Sequence, residues 1–309
     1  MYRTFFGLRD CPFGTSPDPR FLCVTPQIRE SLTCLQYGIA QRKGFVVMTG
    51  EVGTGKTTLL NSVLATFVKD CVSTAFVCNP SLDTLDFFEI VLTEFGIEPK
   101  MRTKSGMLIQ LNRWLVERFR VQGVCVIMVD EAQDLSWELL EEIRLLTNLE
   151  TSSEKLVQVV LAGQPELEEK LRNPRVRQLR QRISLWCRTR ALSGEETHAY
   201  ITERLRIAGA GQPILSSEAM MLVQYHSKGI PRVINLICEH ALISAYVEQV
   251  KPIPARIIRA VCAELDLVCQ PFLMSSVPLS ILEQTLSGAA PDAITAKVDA
   301  ANSPKEHQG

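Results

Sequence analysis

"GEVGTGKTTLL", Gly50–Leu60, sets three glycines, a lysine and several threonines against a pair of leucines. A segment with so little side chain exposes backbone N–H groups, and such groups in a row suit an anion. Gly50, Gly55, Lys56 and Thr57 fit the spacing G-x-x-x-x-G-K-[ST] of a phosphate-binding loop. The glycines let the backbone wrap closely enough to point its N–H groups at phosphate oxygens. Lys56 then reaches the β- and γ-phosphates, and the Thr57 hydroxyl ligates Mg²⁺. Contacts to a nucleotide are expected over Gly50, Glu51, Val52, Gly53, Thr54, Gly55, Lys56, Thr57 and Thr58. A helix beginning at about Lys56 adds the positive end of its dipole.

The flanks agree with the loop. "GFVVMT", 44–49, is a short apolar, β-branched run and reads as a buried strand. After the loop, Leu59, Leu60, Val63, Leu64 and Phe67 recur at helical spacing. Strand, glycine loop and helix are the context that the motif requires.

Further apolar strands are predicted at 73–78, 124–129, 156–162 and 183–188, besides 45–49. Helical patterns are expected at 26–41, 57–68, 84–95, 105–120 and 137–149. Alternation of this kind after a phosphate-binding loop predicts an α/β fold, a P-loop NTPase with a parallel sheet sandwiched by helices. From Ser193 only helices are expected: 194–208, 216–227, 230–248 and 254–267, a small all-α lid. The expected organisation is an N-terminal segment 1–43, an ATPase core 44–192, a lid 193–267 and a disordered tail 268–309.

The composition is that of a soluble globular chain, 46% hydrophobic and 22% charged over 309 residues. A net charge of −1 gives no global field to recruit nucleic acid or an acidic membrane. The N-terminus lacks a secretory signal, and no run of about 18 apolar residues reads as membrane-spanning. Ten cysteines without a C-x-x-C pair point to reduced cytosolic thiols rather than zinc or a disulfide framework.

"VCVIMVDEAQ", 124–133, places Asp130 and Glu131 directly after an apolar strand. Asp130 can hold Mg²⁺ through water, the Walker B role. Glu131 can orient and deprotonate the water that attacks the γ-phosphate, which points to an ATPase rather than a kinase or a slow GTPase. The next strand ends in "VLAGQPEL", where Gln164 is either a γ-phosphate sensor or an ordinary turn residue. "KLRNPRVRQLRQRISLWCRTR", 170–190, holds eight basic residues and no acidic one. Three readings stay open for it: an arginine finger for a neighbouring subunit's ATP, a nucleic-acid phosphate track, or a solvated helix face. Arg182 is the first candidate for the finger and Arg180 the second. In "KGIPRVINLI", 228–237, Pro231 pre-sets a helix start and Arg232 sits in its first turn. The helix dipole disfavours a cation there, and a nearby triphosphate removes the conflict. Arg232 is therefore expected to sense nucleotide from the lid.

Together these residues resemble the AAA+ superfamily, with Gly50–Thr57 as Walker A, Asp130 and Glu131 as Walker B, Gln164 as sensor 1, Arg182 as finger and Arg232 as sensor 2. The phrases "FFGLRDCPFGTSPDPRFL", "DEAQDLSWELLEEIRLLTNLET", "LAGQPELEEKLR", "LRQRI" and "GIPRVINLIC" are similar to the ExeA/GspA family of secretion-associated ATPases. That resemblance covers about 1–267. It implies a P-loop fold of the additional-strand (ASCE) type, ATP hydrolysis with Mg²⁺, a homo-oligomer with ATP at its subunit interfaces, and a cytoplasmic ATPase domain. Family members typically continue into a membrane span and a periplasmic peptidoglycan-binding part. Here "CQPFLMSSVPLSIL", 269–282, is too short and too interrupted by Pro and Gln to span, so this chain is expected to lack both. ATPase domains of this kind also resemble the TnsC and MuB transposition regulators, which bind DNA. Two functions compete: an ATPase acting on an envelope, secretion or polysaccharide-export complex through protein contacts, and a DNA-dependent ATPase using 170–190. Near-zero charge favours the first.

Overall fold

The computed structural model describes residues 1–14, 18–67, 72–78, 82–151 and 154–267. The tail expected at 268–309 lies outside them. The described elements are α1 (Tyr2–Phe6), α2 (Pro26–Ala40), β1 (Phe45–Thr49), α3 (Lys56–Phe67), β2 (Val72–Val77), α4 (Thr84–Glu94), α5 (Lys104–Arg120), β3 (Val124–Val129), α6 (Trp137–Leu146), β4 (Val157–Gly163), α7 (Pro165–Arg172), α8 (Arg177–Arg180), β5 (Ile183–Arg188), α9 (Gly194–Ile207), α10 (Ser217–Ser227), α11 (Pro231–Val247) and α12 (Ala255–Glu264). All five strands are parallel, in the order β2-β3-β4-β1-β5.

The period of two along each strand builds two cores. Phe45 and Val47 of β1, Cys125, Ile127 and Val129 of β3, and Val159 and Leu161 of β4 face α4, α5, α6 and α7. Val46, Met48, Val126, Met128, Val160 and Ala162 face the opposite way, onto Leu35 and Ile39 of α2 and Leu59, Leu60 and Val63 of α3. A strand buried on both faces is apolar almost throughout, which is why β1, β3 and β4 read as hydrophobic runs; the buried Gln158 of β4 is satisfied by the Gly44 N–H at 2.7 Å. The expected α/β sandwich is present, and β4 lies between β1 and β3. That insertion puts the end of β4 between the glycine loop and the acidic pair. Ligands in such sheets gather at the carboxyl ends of the strands.

Side-chain caps account for half of the described helix starts. Thr25 accepts from the Ile28 N–H with Pro26 at the first position of α2. Ser136, Ser193 and Ser216 cap α6, α9 and α10, and Glu196 completes a capping box at Ser193. Helices α9 to α12 form a third core around Ile201, Leu205, Ile234, Ile237, Ile257 and Ile258. The N-terminal segment divides: Leu8, Phe13 and Phe21, ahead of α2, are buried among these helices, whereas α2 itself packs on the sheet. Buried Arg204 of α9 fastens it, donating to the Pro12 carbonyl at 2.6 Å and lying over the Phe21 ring.

Candidate active site

The backbone of 50–55 turns between β1 and α3 with left-handed glycines at Gly53 and Gly55, φ 80° and 97°. L-residues rarely adopt such angles, so the glycines are required by conformation. Gly50 is required by space instead. A Cβ there would lie 1.9 Å from Thr189 Oγ1 and 2.6 Å from its carbonyl oxygen. Thr189 is the wedge that seats the loop, and its hydroxyl shares a 2.7 Å hydrogen bond with that of Thr54. Gly50→Ala is therefore expected to lower stability by about 1–3 kcal/mol, as overpacking does, and to weaken nucleotide binding. A thermal melt with ATP titration checks this; an unchanged melting temperature together with unchanged affinity would contradict it.

Lys56 is 6% exposed. Its ammonium folds back onto the carbonyls of Gly50 at 2.7 Å and Glu51 at 3.1 Å. Burial pushes its pKa down, and the Glu131 and Asp130 carboxylates pull against that shift. Among the described residues no carboxylate forms an ion pair with it. A buried cation so placed is suited to an anionic ligand.

The acidic pair follows from β3. Asp130 is 5% exposed, and its N–H donates to the Val77 carbonyl at 2.9 Å. Its Oδ2 accepts the Thr57 hydroxyl at 2.6 Å, and its Oδ1 accepts the Glu131 N–H at 3.0 Å. Thr57 and Asp130 together make a set of hard oxygen donors of the kind Mg²⁺ takes. Glu131 has left-handed backbone, φ 52°, which is strained for a residue with a side chain. The turn aims its carboxylate towards the end of β4. There the Gln164 Nε2 donates to Glu131 Oε2 at 3.3 Å. Gln133, which the sequence reading passed over, donates to the same oxygen at 2.9 Å.

The lid closes over the loop. The Arg232 N–H donates to the Gly53 carbonyl at 3.2 Å, and a Cβ at Gly53 would lie 2.8 Å from that of Arg232. The Arg232 side chain is exposed and has no hydrogen-bond or ion-pair partner among the described residues. Between loop and lid lies a cavity of about 400 Å³. Residues 52–59, Glu131 and Arg232 line one part of it; Phe21, Leu22, Cys23, Ile28, Tyr200 and Asn235 also border it. This second group was missed. Tyr200 and Arg204 stand four apart on α9, a polar pair in its buried stripe, and that spacing was the available signal.

The basic stretch divides. Arg172 and Arg188 pair with Glu168, and Arg190 pairs with Glu196 at 2.7 Å. Lys170 turns inward onto the carbonyls of Gln133 and Leu135. Arg182 donates to the Arg144 carbonyl, Thr147 Oγ1 and Asn148 Oδ1 at 3.2, 2.9 and 2.6 Å, so it ties β5 to the end of α6 in its own chain. Arg175, Arg177 and Arg180 are exposed and have no carboxylate partner among the described residues. Of the predicted site residues, those at 52–58, Glu131 and Arg232 line one cavity. Asp130 and Gln164 stand behind it, joined to Thr57 and Glu131, and Gly50, Glu51, Arg180 and Arg182 do not border it.

Residues 39–171 match the family model described as AAA domain. General secretion pathway protein A of Aeromonas hydrophila is 43% identical over 247 residues, 80% of this chain and 45% of that protein. The chain thus spans about half the length of the curated relative it matches. Among solved structures, Cdc6p from Pyrobaculum aerophilum has a TM-score of 0.65 at 16% identity, covering 87% of this chain and 74% of that one. The Aeropyrum pernix ORC2 protein in its ADPNP–ADP complexes gives 0.63 at 16%, covering 90% and 78%. The Thermotoga maritima RuvB Holliday junction branch migration motor gives 0.55 at 15%, covering 78% and 70%. At such identities the likeness concerns the fold alone. No helix among the described residues is long and apolar enough to cross a membrane. With its loop, inserted strand and acidic pair in place, this chain is a P-loop NTPase with an AAA domain and, over the matched residues, a homologue of general secretion pathway protein A.

Proposed function

We propose that this chain hydrolyses ATP between the subunits of a homo-oligomer, on the cytoplasmic side, and uses the cycle to assemble or regulate a secretion or envelope complex. The observation that carries the reading is the contact between Thr57 and Asp130 beside the carboxylate of Glu131, at the foot of a cavity closed by Arg232. Loop N–H groups and Lys56 hold the phosphates of ATP. Thr57 and Asp130 hold Mg²⁺, which when bound offsets charge on the β- and γ-oxygens. Glu131 takes the proton of the attacking water, and Gln164 orients the γ-phosphate. Arg232 draws the lid onto ATP and releases it with ADP.

Completion of the site by a neighbour falls to Arg180 and not to Arg182. The guanidinium of Arg182 has three partners in its own chain, whereas Arg180 is exposed at the end of α8. The secretion assignment rests on the name of the Aeromonas hydrophila relative.

DNA-stimulated hydrolysis is the second reading, because Arg175, Arg177 and Arg180 remain exposed without acidic partners. Three cations make a short phosphate track, and the other five of the stretch are engaged. The expected result is no stimulation of ATP turnover by double-stranded DNA at about 150 mM salt, a concentration that weakens contacts made only to phosphates. Several-fold stimulation, lost when Arg175 and Arg177 become alanine while Arg180 is kept, would move the function to DNA. In cells, a Lys56→Ala chain should fail to replace the unmodified one in protein export. Unchanged export would contradict the secretion role.

A further inference from the structure

Gln133 stands two residues after Glu131, in the short turn 132–134 that follows β3, and is half-buried. Its side-chain oxygen accepts the Gln164 backbone N–H at 3.0 Å. Its amide nitrogen donates to Glu131 Oε2 at 2.9 Å and to Asp134 Oδ2 at 3.3 Å. This assignment of the amide is dictated by its partners, because ionised carboxylates only accept and a backbone N–H only donates. We propose that Gln133 is a positioning residue, one that sets the direction of the Glu131 carboxylate and fastens it to the peptide at the end of β4.

Three further observations support it. Gly163 closes β4 where a Cβ would lie 2.8 Å from Gln133 Oε1, so the strand end is cut away to admit this side chain. The turn does not need the side chain to hold its shape. The Asp134 N–H donates to the Glu131 carbonyl at 3.0 Å, and the Leu135 N–H to that of Ala132 at 3.3 Å. Lys170 clamps the same turn from α7, donating to the Gln133 carbonyl at 2.8 Å while lying 5.2 Å from the centre of the Trp137 ring. The Gln133 side chain is thus spent on Glu131, its neighbour Asp134 and the Gln164 peptide. A carboxylate on a strained turn would otherwise sample several rotamers, and only the one facing an attacking water is productive. The Gln164 side chain shares Glu131 Oε2 at the longer distance of 3.3 Å. If Gln164 turns to a phosphate, Gln133 remains as the donor that keeps the carboxylate in place.

The inference rests on Glu131 being the base, and the test separates the two. In Gln133→Leu, close in volume and without the donor, kcat should fall by on the order of tenfold or more. KM for ATP and equilibrium ATP affinity should stay within error, because the phosphate loop is untouched, and the melting temperature should fall only by what the lost acceptor of the Gln164 N–H costs. In a Glu131→Gln background, adding Gln133→Leu should cause no further loss, the signature of a residue acting through another. An unchanged kcat in Gln133→Leu while Glu131→Gln abolishes turnover would overturn the inference alone. So would a fall in kcat matched by an equal fall in ATP affinity, or an equal loss in both backgrounds. Near-normal turnover in Glu131→Gln would remove the base itself and the inference with it.

Discussion

Glu131→Gln should bind ATP as tightly as the unmodified chain and turn it over about 10²–10⁴-fold more slowly, the contribution of a general base. The substitution keeps the shape of the side chain, and its amide oxygen can accept from both neighbouring glutamines as Glu131 Oε2 does. The Thr57–Asp130 contact at 2.6 Å lies outside the change, so the cation site survives. Lys56→Ala differs in kind. It deletes the buried cation beside the loop carbonyls, so ATP affinity and turnover fall together. Filter binding beside phosphate release distinguishes the two, and near-normal turnover in Glu131→Gln would exclude it as the base.

Local chemistry made the centre of this site legible. Glycine spacing, a β-branched strand before it and a helical stripe after it all lie within about 25 residues, and β1, the loop and α3 formed as expected. The acidic pair was legible for the same reason, since an apolar strand ending in two carboxylates is a local pattern. What failed to show was short or distant. Helices α1, α7 and α8 were missed because each is too short to display an apolar stripe, and α7 is dense in charge. The position of β4 between β1 and β3 came only through the additional-strand type that the resemblance implies, because it depends on pairing between remote segments, which periodicity does not encode. Arg182 looked free for a finger because its partners on and after α6 lie 34 to 38 residues away. Its neighbours in sequence gave no hint of them. Likewise the N-terminal border of the cavity is set by Arg204 reaching Pro12 across 192 residues.

Arg180→Ala should lower turnover by about 10³–10⁵-fold, the range for removal of an arginine finger, while leaving ATP affinity and fold intact. Exposure without a partner is the reason: nothing in its own chain loses a contact. Arg182→Ala should behave in the opposite way. It strips donors from the Arg144 carbonyl, Thr147 and Asn148, and should cost about 1–3 kcal/mol of stability. Its turnover should still rise with protein concentration. Mixing Arg180→Ala with Lys56→Ala should recover part of the activity, because one kind of interface then joins an intact loop to an intact arginine. If Arg182→Ala and not Arg180→Ala gives the large kinetic loss at unchanged melting temperature, the finger is Arg182 and its contacts in the single chain are exchanged on assembly.

Hydrolysis completed between subunits is tested most directly by phosphate release from saturating ATP and Mg²⁺, measured on the unmodified protein across a range of protein concentrations. The rate per protomer should rise with concentration, level off as neighbours dock, and vanish when the metal is chelated. Release at a constant rate per protomer would contradict a shared site, and no release at any concentration would contradict the ATPase itself.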